Sequence, residues 1–348
     1  MRSLGMKMLA FAAVAMLTAP VFAQSDTRGA KADVVFELTP SKIIDSPLGK
    51  KMGFAELLAT TPPGAPEFDK IKRVFAGVIA PESAEKLEVI QQGGDDNDLQ
   101  FFMRIEYSTA EAATDMITQA NKENGGEVER NGKTYYSPPE EAKMPKGTVM
   151  YLADDKTVAM ASGGFIDKTG GAPVTDALAA AWKKMPNTAL KVSIDGVNAR
   201  NLVKSMVKDV KEKTGDPIAG AILDLFPTMN NINLSVDFAS ADLLKLNATS
   251  SDEDKASDIS DGFKSLVTMA KPAAKKGLAQ IEDQAPNAAA TFGKLVNGMD
   301  VKQSGKSVTL NIPRPEGFED AVQEFIPIAQ QMIFRMMIGG GFGGGGAR

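Results

Sequence analysis

The chain has 348 residues with no histidine and no cysteine, and its 39 Lys and Arg stand against 44 Asp and Glu for a net charge of −5. Those absences exclude thiolate nucleophiles, imidazole general bases, disulfides, and thiolate or imidazole metal ligands. Mixed and mildly acidic charge argues against nucleic-acid binding.

Arg2 and Lys7 form a basic n-region, Met8 to Leu17 an apolar h-region, and Val21-Phe22-Ala23 a small-residue cleavage site before Gln24. The apolar run is too short to cross a bilayer, and no cysteine follows it for lipid attachment. The expectation is a signal peptide over residues 1–23 and export to a periplasmic or extracellular space. Removing it takes away two basic residues, so 37 Lys and Arg face 44 Asp and Glu, a net charge of −7. Without disulfides, stability in that oxidising space must come from buried apolar surface, and the remaining 325 residues suffice for two domains.

Val34, Phe36 and Leu38 read as a short strand, followed by helical sequence and a second strand from Arg73 to Ala80. Leu99, Phe101, Met103, Ile105 and Tyr107 then alternate with polar residues, the period of a half-buried strand. Ser108 stands three residues before Glu111, a capping box, and Ala113, Met116, Ile117 and Ala120 follow at helical spacing. Asn131-Gly132 marks a hairpin turn, and a further hairpin joins Thr148–Tyr151 to Thr157–Ala161 around Asp154-Asp155-Lys156. A linking helix with Ala177, Leu178, Ala181, Trp182 and Met185 on one face ends at Pro186, and Pro186-Asn187 is the expected domain boundary.

The second half repeats this order. Leu190, Val192 and Ile194 form a strand, a helix starts at Asn198, and further strands run from Ile232 to Phe238 and through Leu244, Leu246 and Ala248. Ser250 stands three before Glu253, and the apolar stripe continues through Ala256, Ile259, Phe263, Leu266, Val267 and Ala270. Pro272 and Pro286 are expected to break the later helical region. Asp300-Val301-Lys302-Gln303-Ser304-Gly305-Lys306-Ser307 then matches Glu127-Val128-Glu129-Arg130-Asn131-Gly132-Lys133-Thr134 in register. The fold class is therefore α+β: two tandem related units in ferredoxin-like β-α-β-β-α-β order, each an antiparallel sheet with helices on one face. The domains are residues 24–186 and 187–338, the second ending in an apolar helix from Phe318 to Ile338 that Pro327 is expected to bend. A flexible glycine-rich tail occupies 339–348.

Catalytic motifs survive only formally. Ser83-Ala84-Glu85-Lys86 and Ser205-Met206-Val207-Lys208 match S-x-x-K, and Lys168-Thr169-Gly170 and Lys213-Thr214-Gly215 match K-T-G. The buried stripe of the helix from Asn198, however, leaves Ser205 and Lys208 in solvent, and Lys213-Thr214-Gly215 reads as its C-cap. Gly305-Lys306-Ser307 lacks the first glycine of a P-loop, Asp300 standing there. The acidic runs Asp95-Asp96-Asn97-Asp98 and Asp252-Glu253-Asp254 lack the spacing of an EF-hand and read as a turn and a first helical turn. No catalytic, cofactor or metal residue is nominated.

Strand alternation instead gathers Lys191, Asp195, Asn233, Asp237, Lys245, Asn247 and Asn311 on an open polar sheet face, and Phe325, Met332 and Phe334 on the C-terminal helix, as a candidate interaction surface. Asp195 with Asp237 is the one carboxylate pair for acid/base hydrolysis. The signal at Met1–Ala23, the hairpin Leu152-Ala153-Asp154-Asp155-Lys156-Thr157-Val158 and the two capping-box units resemble exported bacterial proteins of unknown function built as two related α+β halves. That resemblance implies architecture and no functional residues. The expectation is an exported, non-enzymatic binding or structural protein with an unknown protein or carbohydrate partner. It would use no cofactor, bind no nucleic acid, and have no integral membrane span after signal removal, with peripheral envelope contact left to the C-terminal helix. The alternative is a carboxylate-only hydrolase of an extracytoplasmic polymer such as a glycan.

Overall fold

A computed structural model describes residues 31–54, 70–79, 100–122, 126–130, 132–137, 147–166, 174–200 and 225–339, with side chains up to residue 328. The signal segment, both S-x-x-K and both K-T-G matches, the acidic run at 95–98, the helix expected beyond residue 200 and the glycine-rich tail from 340 lie outside the described residues.

The first half contributes β1 (Val34–Leu38), α1 (Pro40–Ile44), α2 (Pro47–Lys51), β2 (Ile71–Val78), β3 (Phe101–Tyr107), α3 (Ala110–Lys122), β4 (Glu127–Arg130), β5 (Lys133–Tyr136), β6 (Val149–Asp154) and β7 (Thr157–Ala161). The linking helix α4 (Asp176–Trp182) leads to β8 (Leu190–Asp195), β9 (Asn231–Val236), β10 (Asp242–Thr249), α5 (Glu253–Ala279), α6 (Pro286–Asn297), β11 (Asp300–Ser304), β12 (Ser307–Pro313) and α7 (Phe318–Gly339). The strand, helix, hairpin order thus recurs, and the duplication is a feature of the structure. Both copies of the matched turn have glycine at positive φ, Gly132 at 72° and Gly305 at 54°, as two-residue hairpin turns require.

The twelve strands of the described residues join one antiparallel sheet in the order β11-β12-β10-β9-β8-β1-β2-β3-β7-β6-β5-β4. The two halves meet where β1 pairs with β8, Phe36 opposite Val192 and Glu37 opposite Lys191. Both outermost strands are short and charged, which discourages edge-to-edge pairing. Alternation gives the sheet one face that is apolar across both halves. There α3 packs Ala113, Ile117 and Ala120 onto Val74, Met103, Ile105, Val158 and Met160, and α5 packs Ala256, Ile259 and Phe263 onto Ala248 and Val308. These helices lie on the same face of their units, as the α+β reading expects.

Local details correct the reading of the sequence. The cap of α3 is Thr109, whose Oγ1 accepts from Ala112 N at 3.2 Å, one residue after Ser108. The cap of α5 is Asp252, accepting from Lys255 N at 2.8 Å, while Ser250 Oγ donates to Asp252 O and Lys306 O. A carboxylate beside three free N–H groups outcompetes a hydroxyl two residues earlier. Helix α5 runs through Pro272, and α7 through Pro327, whereas Pro286 begins α6, where no N–H is needed. Strands β8 and β9 are direct neighbours, not separated by another strand as the ferredoxin-like order would place them.

Candidate interaction surface

The opposite face of the sheet changes character along its width. In the first half it is apolar, with Val35, Phe102, Tyr135, Tyr151 and Ala159 in one core. In the second it carries serine, threonine, asparagine and lysine. Helix α4 lies along the transition. Thr175 caps it, accepting from Leu178 N at 3.4 Å, and Asp176 complements its dipole. Leu178 is fully buried against the first-half core, and Trp182 meets Phe75 edge-on with centroids 5.6 Å apart. The side bearing Ala177, Ala180 and Ala181 borders the polar floor.

Under α4 the two halves are joined by charge. Lys191 Nζ lies 2.7 Å from Glu37 Oε1 with both side chains over nine-tenths buried, and it sits 4.6 Å from the centre of the Trp182 ring. Arg73 extends the chain, 3.6 Å from Glu37 and 3.0 Å from Glu106. A cleft of about 440 Å³ opens over this network on the first-half side, lined also by Arg104 and Lys183. Alternation along β1 puts Glu37 opposite the Val34, Phe36 and Leu38 row, but nothing local in the sequence announces its pairing with Lys191, 154 positions away. Nearby, burial lowers the Lys42 pKa, the Asp237 carboxylate opposing that shift, and its ammonium donates to Asn187 O.

On the second-half side a groove of about 540 Å³ lies between α4 and the strands. Asn233, Lys245 and Asn247 line its floor with Asn231, Ser235, Thr249, Ser307 and Thr309, and Lys184, Met185 and Pro186 complete the wall. Ser193 Oγ donates to Asn233 Oδ1 at 2.6 Å. Asn247 Nδ2 donates to Ser307 Oγ at 2.7 Å and Thr309 Oγ1 at 3.0 Å. These bonds fix both carboxamides and leave Asn233 Nδ2 and Asn247 Oδ1 without a partner among the described residues, on residues paired across β9 and β10. Beside them Asn231 is 7% exposed, and neither its Oδ1 nor its Nδ2 has a partner among the described residues. Such an amide costs about 1–3 kcal/mol. Asn231 was not singled out from sequence, because an asparagine at a strand start carries no mark of burial.

The other nominated residues fall elsewhere. Asp195 is a buried structural cap: its oxygens accept from Thr175 Oγ1 (3.1 Å), Val197 N (3.1 Å), Asn198 N (3.2 Å) and Asn198 Nδ2 (3.2 Å). Asp237 closes the β9–β10 turn, accepting from Ala239 N at 2.9 Å. Since Asp195 pairs with Asn231 and Leu190 with Val236, the two carboxylates occupy opposite strand ends, ~20 Å apart at about 3.3 Å per residue. That exceeds the roughly 5–9.5 Å of glycosidase carboxylate pairs. Asn311 pairs with Lys245 in register, and its Oδ1 is buried without a partner. Phe325 packs in the α5, α6 and α7 core, edge-on to Phe292 at 5.6 Å. Met332 and Phe334 lie on α7 beyond the described side chains.

Among the described residues, no group of three or more acidic side chains is placed to hold a metal ion, and no helix is long and apolar enough to cross a membrane. No protein-family model matches the chain, and no curated protein matches it. Among solved structures the chain is similar in fold to TP0453 in crystal forms I, III and IV, at 10–11% identity and a TM-score of 0.39. The matches cover 84% of this chain and 93–94% of the other.

Proposed function

We propose that this chain is an exported, non-enzymatic binding protein whose contact surface is the polar groove between α4 and strands β9, β10 and β12. The observation that supports it most is the floor itself, where ordered carboxamides leave hydrogen-bonding atoms unused beside the unpartnered Asn231. Buried polar groups are ordinarily satisfied by protein, water or ligand, so unused ones bordering a groove leave hydrogen bonds open to what fills it. The separation of Asp195 from Asp237 weighs against the hydrolase reading. Export rests on the charge and hydropathy pattern of residues 1–23, and the division into units 24–186 and 187–338 on the repeated element order.

The test is a binding screen of soluble peptides and oligosaccharides against the wild type and Ala180→Arg. Ala180 is an exposed helical position in the groove wall, where arginine is well tolerated. A ligand bound by the wild type, lost in Ala180→Arg and recovered at unchanged mass supports the proposal. Cleavage of a ligand, or binding indifferent to Ala180→Arg, contradicts it.

A further inference from the structure

The groove also carries features that select among ligands. Among the described residues the charged lining is Lys184 and Lys245, both cations, with no carboxylate, although the chain as a whole is acidic. Lys245 shares its charge with Asp242 at 3.3 Å, while Lys184 is exposed and makes no ion pair with a described residue. Among the described residues no aromatic ring lines the groove, so they offer a sugar ring no stacking platform. The wall is aliphatic instead: Ala177, Ala180, Ala181 and Met185 offer small apolar contacts and a pliable thioether.

The unused polar atoms are a donor, Asn233 Nδ2, and an acceptor, Asn247 Oδ1, on directly opposed residues of neighbouring strands. Asn231, at the next position of the row along β9, adds a buried carboxamide beside them rather than an exposed contact. Extended peptide backbone presents donors and acceptors in that alternation, with side chains on alternate sides. A volume of about 540 Å³ lies within the usual range for ligand sites, roughly 300–1,000 Å³. Resting on the binding-protein reading above, we infer that the groove takes an extended acidic peptide. Its backbone is held by the asparagine carboxamides, its aliphatic side chains by the α4 wall, and its carboxylates by Lys184 and Lys245.

The probe is a fluorescein-labelled decapeptide alternating valine or alanine with glutamate, titrated by anisotropy against the full mature chain. A lysine-for-glutamate version and a uronic-acid tetrasaccharide serve as comparisons. The acidic peptide is expected to bind and the other two not. Replacing the exposed lysine, Lys184→Glu, should weaken acidic-peptide binding about tenfold and allow the basic peptide to bind, a change of about 1.4 kcal/mol. The double variant Asn233→Ala/Asn247→Ala should weaken it further, with its fold checked by circular dichroism. Binding of the tetrasaccharide that Ala180→Arg abolishes would overturn the peptide assignment and leave the binding-protein reading standing. No acidic-peptide binding, or binding that Lys184→Glu leaves unchanged, would also overturn the assignment. The broader screen with Ala180→Arg then decides the binding-protein reading separately.

Discussion

Replacing Lys191 with methionine tests how the two halves are held together. The substitution keeps the length of the stem beneath Trp182 and removes the ammonium, leaving the Glu37 carboxylate, 7% exposed, with the 3.6 Å contact to Arg73 as its ion pair among the described residues. Losing one partner of a buried pair costs about 3–5 kcal/mol, because the remaining charge stays desolvated. Arg73 recovers part of this, so a loss near about 3 kcal/mol is expected. Glu37→Gln/Lys191→Met should regain much of it, since replacing both ions by neutral groups is often close to neutral. The assay is urea unfolding followed by fluorescence of Trp182, the only tryptophan in the chain, which lies 4.6 Å from the Lys191 ammonium. A coupling energy of at least about 2 kcal/mol in the double-mutant cycle supports the buried seam. Coupling below about 0.5 kcal/mol, with the double variant no better than Lys191→Met, would refute it.

Three further outcomes follow from particular contacts. The Tyr107 hydroxyl is buried without a partner, and burial raises its pKa above the ordinary 10.0. Because the hydroxyl is buried unpaired, Tyr107→Phe should be at least as stable as wild type at pH 7, within about 1 kcal/mol. Above pH 10 the unfolded tyrosine ionises while the folded one stays neutral, so wild-type stability falls as pH rises towards the folded value, and Tyr107→Phe should show a flatter alkaline limb in thermal melts. Asp252 is held at a pKa of about 2, first by the backbone N–H of Lys255 and then by the Ser251 hydroxyl. That stabilisation is present above its ordinary 3.8 and disappears as pH falls through about 2. The melting temperature of Asp252→Asn should approach that of wild type over this interval, and a constant difference would count against the cap. Glu324 on α7 accepts from Ala288 N at 2.8 Å, supplying α6 with the cap that Ala285 lacks. Glu324→Ala should cost about 1.5–3 kcal/mol in urea unfolding, with Glu324→Gln restoring part of it.

The strands and the turns between them were legible because their signals are local. Alternation in Leu190 to Ile194 and Leu244 to Ala248, and glycine at positions 132 and 305, suffice to place edges and faces. Caps were legible only to within a residue or two, since Ser108 and Thr109, or Ser250 and Asp252, compete for the same N–H groups. Pro272 misled because a proline within a long amphipathic helix costs one hydrogen bond, which 27 residues of packing can offset. What joins the halves was not legible at all: the pairing of β1 with β8 depends on matching strands 154 residues apart. For the same reason Lys191 and Asp195 looked like open-face residues in the sequence, whereas α4 covers them. Asn233, Lys245 and Asn247 lie beyond its cover and line the groove, as alternation expects of a polar face.

The most direct test of the groove as a binding site uses asparagine-selective ¹⁵N labelling of the chain from residue 24 onward. Side-chain carboxamide signals of Asn231, Asn233 and Asn247, assigned by single substitution, are followed by NMR during titration with the acidic decapeptide. The account predicts that these three shift together with saturation, while Asn287 and Asn297 on α6 stay fixed. Shifts confined to α6, or no shift among the three at a peptide concentration that saturates the anisotropy signal, would contradict it.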